Sequence, residues 1–284
     1  MQTRTIAMDS EIAEAWYVPL TQLAVEKWHD GVSVVSTDNV AEEVPVALVY
    51  NSISHVVMMT TPLNLDDFAL GFSLSEGILN NADELLDCFI SRVEDGIHID
   101  LHIAEHRFDT LKEQRRNLTG RTGCGLCGAE TLKQVTRQIK PVRSTALFTT
   151  EQINAGFAQM QLLQNIQKLT GATHAAGWLG ADGKVEIVRE DVGRHNSLDK
   201  LIGALVKAKY DLSSGAVLIT SRASYEMVQK TATASIGILA AISAPTGLAI
   251  RLAEQTQLTL LGFARGLSCV VYAQPQRIKR QDIT

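Results

Sequence analysis

Two apolar, β-rich runs, residues 44–50 and 55–60, flank Asn51-Ser52 and predict a β-hairpin. A helix is predicted to start at Asn64 or Leu65, because Leu65, Phe68, Ala69, Phe72 and Ile78 recur at helical spacing and Asp66 and Asp67 occupy the first turn, where the helix dipole favours acids. Residues 90–93 and 97–103 surround Glu94-Asp95-Gly96 and predict a second hairpin. Within it, Ile97, Ile99, Leu101 and Ile103 alternate with His98, Asp100 and His102, so one strand face is apolar and the other polar. The first forty residues have weak periodicity and predict little beyond one strand at 31–36.

Residues 141–149 read as a linker, and Thr149 with Gln152 as a capping box for a helix running to about residue 169. The pattern then alternates regularly. Strands at 175–179 and 184–188 form a hairpin around Ala181-Asp182-Gly183, and a helix follows at 197–208. After them come a strand at 216–220, a helix at 225–235, a strand at 238–242, a helix at 246–255 and strands at 258–263 and 269–272. Such alternation of apolar strands with helices predicts a largely parallel sheet covered on both faces. The expected organisation is α/β, with a smaller N-terminal α+β domain over residues 1–148 and an α/β domain over 149–284.

Composition narrows the class. With 284 residues, 45% hydrophobic and 20% charged, the chain can bury a sizeable core, which argues against collagen-like, coiled-coil and disordered proteins. A net charge of −5 is too mild to suggest a nucleic-acid partner. That value hides a split: residues 1–106 carry 18 acidic and 3 basic side chains, whereas residues 107–143 carry 9 basic and 3 acidic ones. The basic block is a local island beside the cysteines. The uncharged run 231–250 nearly matches a membrane span in length, but Thr, Ser, Gly and Pro245 interrupt it, so it reads as core and no membrane partner is expected. No basic n-region followed by an apolar h-region opens the chain, and only two of four cysteines lie close together. Reduced thiols and a cytoplasmic location are the expectation.

Two motif matches fail on context. Gly123-Cys124-Gly125-Leu126-Cys127-Gly128 satisfies G-x-G-x-x-G, yet the preceding Lys112-Glu113-Gln114-Arg115-Arg116-Asn117 is polar and basic, so no buried strand delivers the glycines to a pyrophosphate. His102-Ile103-Ala104-Glu105-His106 fits H-x-x-E-H, a zinc pattern that needs a helix, whereas His102 belongs to a strand. Cys124-Gly125-Leu126-Cys127 is the strongest chemical feature and admits three readings. A zinc half-site lacks a visible second ligand pair, so no resident metal is expected. A thioredoxin-type site lacks the strand before it. The third reading is a glycine-rich loop bearing a nucleophilic or sulfur-carrying thiolate, favoured by Lys112, Arg115, Arg116 and Arg121 nearby.

Polar groups also gather where strands meet helices. Glu190-Asp191-Val192-Gly193-Arg194-His195-Asn196 can shape a pocket or supply an internal ion pair at a helix start. Ser221-Arg222-Ala223-Ser224 follows a predicted parallel strand, where ligands of open α/β sheets collect, though a serine cap with an exposed arginine fits equally. Arg265-Gly266 occupies an equivalent edge position.

Taken together, the segment 42–51, Gly71-Phe72 with Ser75-Glu76-Gly77, Cys124-Gly-Leu-Cys127, Thr173-His-Ala-Ala176, Glu190-Asp-Val-Gly-Arg-His195 and the run from Ser221 to Lys230 resemble the formate dehydrogenase accessory sulfurtransferase family, FdhD. The resemblance implies a sulfur carrier protein that takes persulfide sulfur from a cysteine desulfurase and passes it to the molybdenum cofactor of formate dehydrogenase. It implies a cytidine-deaminase-like three-layer α/β fold for the C-terminal domain, although the zinc signature of deaminases is missing, and a homodimer. By position, Cys124 corresponds to the persulfide-bearing cysteine, and Cys127 either assists it or releases the sulfur. Phe263, Ala264, Arg265, Gly266, Leu267 and Ser268 correspond to the segment that binds the molybdenum bis(molybdopterin guanine dinucleotide), of which a guanine nucleotide is a partial mimic. A rival reading is a non-catalytic chaperone for the cofactor or the apo-dehydrogenase, its cysteines serving a metal. Cys88 and Cys269 lie in or beside apolar segments and read as inert core thiols.

Overall fold

The computed structural model describes residues 18–118 and 139–279. The first element differs from expectation. Strands β1 (Leu20–His29) and β2 (Val32–Ala41) pair antiparallel along ten residues each as a separate two-stranded sheet. Trp28, Val32, Val34 and Val35 are all exposed, so neither face shows the in-and-out alternation that would announce a strand.

The next unit follows its hydrophobic pattern. Strands β3 (Val44–Tyr50) and β4 (Ile53–Thr60) form the hairpin, with Asn51 and Ser52 at φ 44° and 70° supplying the left-handed pair that a tight two-residue turn needs. Strands β5 (Leu85–Val93) and β6 (Gly96–Ile103) form the second hairpin, and β6 runs parallel to β3, giving the order β4-β3-β6-β5. Helix α1 (Leu65–Ser75) lies on this sheet, where Phe68 and Phe72 join Leu48, Ile99 and Leu101 in one core. The basic stretch beyond β6 is helical, α2 (Glu105–Leu118).

Helix α3 (Thr150–Leu163) begins at Thr149 with both halves of the predicted capping box in place. The helix does not continue to residue 169. Gln164 leaves helical geometry at ψ 83°, and a short helix α4 (Asn165–Thr170) follows. The Glu190 carboxylate accepts from the backbone N–H groups of Ile166 and Gln167 at 3.0 and 2.8 Å, holding the start of α4. Strands β7 (His174–Leu179) and β8 (Val185–Asp191), helix α5 (Arg194–Lys207), strand β9 (Ala216–Ile219), helix α6 (Tyr225–Thr233), strand β10 (Ile238–Ala241), helix α7 (Gly247–Gln255) and strands β11 (Thr259–Arg265) and β12 (Ser268–Ala273) complete the chain. Their sheet has the order β12-β11-β10-β9-β7-β8.

This sheet is mixed rather than largely parallel. Only the β9-β10 and β10-β11 pairings are parallel; β7 is antiparallel to both β8 and β9, and β12 to β11. The cause is topological: a hairpin fixes β7 against β8, and the α5 crossover then returns β9 beside β7 instead of β8. Coverage on both faces is as expected. Trp178, Val217, Ile219 and Leu239 face α5, α6 and α7, while Leu179, Leu218, Ala240 and Leu261 face α3.

Helix α1 joins the two sheets, because its second face packs on α5. A Cβ added at Gly71 would overlap the backbone carbonyl of Asp199, and one at Gly203 that of Asp67, so both glycines permit backbone contact. Charges seal this joint. Lys200 and Asp191, both 0% exposed, pair at 2.6 Å, and Thr61 bonds to both through its backbone. Arg189 meets Asp67 at 2.8 Å, and Lys207 bridges Asp66 and Asp67.

Candidate functional site

Strands β9, β10 and β11 run parallel and end together. Just past or at their ends stand Thr220, Ile242 and Arg265, and beside them His174 opens β7. All four line a cavity of about 630 Å³, a size within the ~300–1,000 Å³ range of small-molecule sites. Its place outside the carboxyl ends of parallel strands is where α/β sheets collect ligands. Helix α3 roofs it with Asn154, Phe157, Ala158 and Gln161, an i, i+3, i+4, i+7 face.

The predicted cofactor segment divides across the cavity edge. Ala264, Arg265 and Gly266 line the cavity. Phe263 is 40% exposed at φ 52°, within the irregular register that separates Gly262 from Arg265 in the pairing with β12. Gly266, at φ 62°, and Leu267 form the turn into β12, which leaves Leu267 fully displayed, and Ser268 opens that strand. Among the described residues lining the cavity there is no Asp, Glu or Lys, and Arg265 is the only permanently charged group. The site suits a ligand with a neutral hydrogen-bonding part and an anionic part.

The strand-to-helix junction serves more than one purpose. Glu190 and Asp191 are engaged internally, with α4 and Lys200 respectively. Arg194 and His195 are half-buried, and His195 Nε2 lies 3.0 Å from Glu226 Oε2. The contact with His195 pulls the Glu226 carboxyl down to about 2. His174 links junction and cavity: burial first, then the nearby positive charges of Arg194 and His195, hold its imidazole below the usual range. Ser221 is buried, Arg222 is exposed and Ser224 precedes α6 without a side-chain cap bond; none of the three lines the cavity.

Sequence reasoning missed Asn154, Gln161, Gln164 and Thr220. Polar residues on a half-buried helix face look like its solvent side, and only their i, i+3, i+4, i+7 recurrence with Phe157 signals a shared wall. His102 lies on β6, while His106 belongs to α2 and meets Glu84 at 3.2 Å. Cys124 and Cys127 lie outside the described residues.

Residues 41–279 match the family model of FdhD/NarQ. The chain belongs to the FdhD/NarQ family. It is 61% identical over 258 residues to a Cupriavidus necator protein named sulfur carrier protein FdhD, covering 91% of this chain and 90% of that one. A Bordetella bronchiseptica protein of the same name is 51% identical over 242 residues, covering 85% and 88%. Among solved structures, a Desulfotalea psychrophila protein named as a formate dehydrogenase accessory protein superposes with a TM-score of 0.74 over 92% of this chain and all of that one. At 23% identity that likeness shows a shared fold.

Two further cysteines of this FdhD/NarQ chain are described. Burial pushes the Cys88 thiol up to about 12, and burial also raises Cys269. Because the thiolate is the reactive form, neither suits sulfur chemistry near neutral pH. Cys88 is expected to resist iodoacetamide at pH 8 in the folded protein and to react fully in urea, as read by mass spectrometry of its tryptic peptide. Rapid labelling of folded protein at Cys88 would contradict its burial.

Proposed function

We propose that this chain is a sulfur carrier that accepts persulfide sulfur from a cysteine desulfurase and delivers it to the molybdenum cofactor required by formate dehydrogenase. The observation that carries this reading is near full-length likeness to relatives named sulfur carrier proteins, in a chain with one C-x-x-C beside a basic segment. In the loading step the Cys124 thiolate attacks the terminal sulfur of the desulfurase persulfide. The S–S bond of the donor breaks, the donor cysteine leaves as a thiolate, and Cys124 carries the sulfane sulfur. Cys127 then assists release, and Lys112 with its basic neighbours favours the thiolate and an anionic acceptor.

The acceptor is cargo, a molybdenum bis(molybdopterin guanine dinucleotide). On this reading the segment from Phe263 to Ser268 holds its guanine nucleotide part, with Arg265 on phosphate, and the absence of acids among the described cavity residues supports that choice. The six-stranded sheet with helices on both faces is read as a cytidine-deaminase-like layer arrangement, and the working form as a cytoplasmic homodimer. No helix among the described residues is long and apolar enough to cross a membrane.

The deciding experiment incubates the full chain with a desulfurase and cysteine and follows its intact mass. Gain of one sulfur, mapped to Cys124, is expected. No gain, with nucleotide binding intact, would favour a chaperone that holds the cofactor without carrying sulfur. The nucleotide end has its own check. Guanosine diphosphate should bind wild type measurably, and Arg265→Ala should weaken it by about 1.5–3 kcal/mol, the range for a charge-assisted hydrogen bond. Equal calorimetric affinities would remove Arg265 from the site.

A further inference from the structure

The β1-β2 ribbon is long, apolar at its tip and supported only at its base. All but its last residue precede the segment 41–279 that matches the family model, so no role for it follows from that likeness. β2 packs on α4, but the six residues of α4 span about 9 Å, whereas ten-residue strands reach about 34 Å. Thr21, Val25, Ser36 and Asn39, all in the base half, are partly buried, and every residue from 26 to 35 is exposed. At this tip Trp28, Val32, Val34 and Val35 are 62% to 76% exposed. A two-stranded ribbon left to itself is at best marginally stable in water, so this one needs a cover. The base has an apolar surface of its own. Leu162 and Leu163 end α3, Leu169 lies on α4, and all three are exposed.

We propose that the ribbon is a dimer arm whose tip, anchored by Trp28 and Val35, lies on Leu162, Leu163 and Leu169 of a second copy, which returns the same contact. The proposal rests on the homodimer reading above and adds what that reading lacks, the surface that joins the copies. Two ribbons of equal length laid antiparallel about a two-fold axis set each tip at the other's base, where the leucines are. One arrangement thus covers both apolar surfaces and closes at two copies. In the register of β1 with β2, Glu26 pairs with Val35 and Trp28 with Ser33, which puts Trp28 and Val35 on one face with Ala24. Charge points the same way. Residues 1–106 carry 18 acidic side chains, but only Glu26, Asp30 and Asp38 lie on the ribbon, beside Lys27, so it is not built to grip a basic partner. A ribbon face of about 34 Å by about 10 Å, counted on both partners of both symmetric contacts, gives roughly 1,400 Å², within the ~1,200–2,000 Å² of stable interfaces. Tryptophan is among the residue types that dominate such contacts.

The test is the solution mass of the full chain, followed by sedimentation over a dilution series. Wild type should have the mass of two chains. Trp28→Lys and Leu162→Lys should each raise the dimer dissociation constant by about tenfold or more, with circular dichroism unchanged. Leu86→Lys, which alters an exposed leucine on β5 away from the ribbon, should leave it as in wild type. Trp28→Lys combined with Leu162→Glu in one chain should tighten the dimer again relative to Trp28→Lys, since the lysine of each copy then meets the glutamate of the other. If the ribbon of Trp28→Lys fails to form, Leu162→Lys decides alone, because it leaves the ribbon untouched. A wild-type dissociation constant in folded Leu162→Lys, or no tightening by the charge pair, would overturn the proposal while leaving the homodimer standing. One-chain mass for wild type would overturn the homodimer reading itself, and this proposal with it.

Discussion

Cells that depend on a Cys124→Ser variant are expected to show no formate dehydrogenase activity, and the purified variant no sulfur after loading. A serine hydroxyl is not appreciably ionised near neutral pH and cannot hold sulfane sulfur, so the exchange removes both nucleophile and carrier. Cys127→Ser should still accept sulfur but pass it on less well. The two positions are separated by only Gly125 and Leu126, so disruption of one shared segment would affect both variants alike, whereas distinct chemical roles would not. Nor do Cys88 and Cys269 offer a substitute, because burial raises both thiols. Intact mass after loading, thermal unfolding and dehydrogenase activity in cells supplied with each variant separate the outcomes. Full activity with Cys124→Ser would sink the sulfur-carrier mechanism, and persulfide on Cys127 alone would reverse the roles.

The sequence revealed elements whose two faces differ. β3, β4 and β6 were legible because one side meets α1 and the other does not, and α3 because Thr149 and Gln152 cap it in a recognisable spacing. Where both faces share one environment the signal vanished. β1 and β2 are exposed on both sides, so ten-residue strands left little periodic trace. The break at Gln164 was equally silent, since it depends on Glu190, more than twenty residues away, for the groups that start α4. The cavity was half legible. Arg265-Gly266 declared itself by chemistry at a strand end, whereas Asn154 and Gln164 are ordinary polar residues until the tertiary fold buries them at the cavity wall. The motif around Glu190 and Asp191 was the reverse case. Its density suggested a site, but much of it is spent on a helix start and a buried ion pair, both made across distance.

A second buried pair should carry a large share of the joint between the sheets. Lys230 Nζ lies 3.0 Å from both Asp199 oxygens, 2.7 Å from Glu76 Oε1 and 3.0 Å from Ser75 Oγ, tying α6 to α5 and the end of α1. Asp199 is 1% exposed, and burial pushes its carboxyl above the usual range even with Lys230 and Ser75 opposing that shift. Lys230→Met removes the only cation among the described residues that pairs with Asp199, so the folded protein must either keep a buried carboxylate without that countercharge or protonate it. The expected loss is about 3–5 kcal/mol near neutral pH. The sign with pH follows from linkage. In the variant the folded state holds a proton that the unfolded carboxyl releases above about pH 4, so stability falls as pH rises through that value toward the elevated folded pKa. Urea unfolding should therefore show a wider gap between wild type and Lys230→Met at pH 8 than at pH 5. Adding Asp199→Asn to the variant should remove most of the pH-dependent part, because the group that titrates is gone. A gap below about 1 kcal/mol, or one of equal size at both pH values, would show that the pair does not hold the joint.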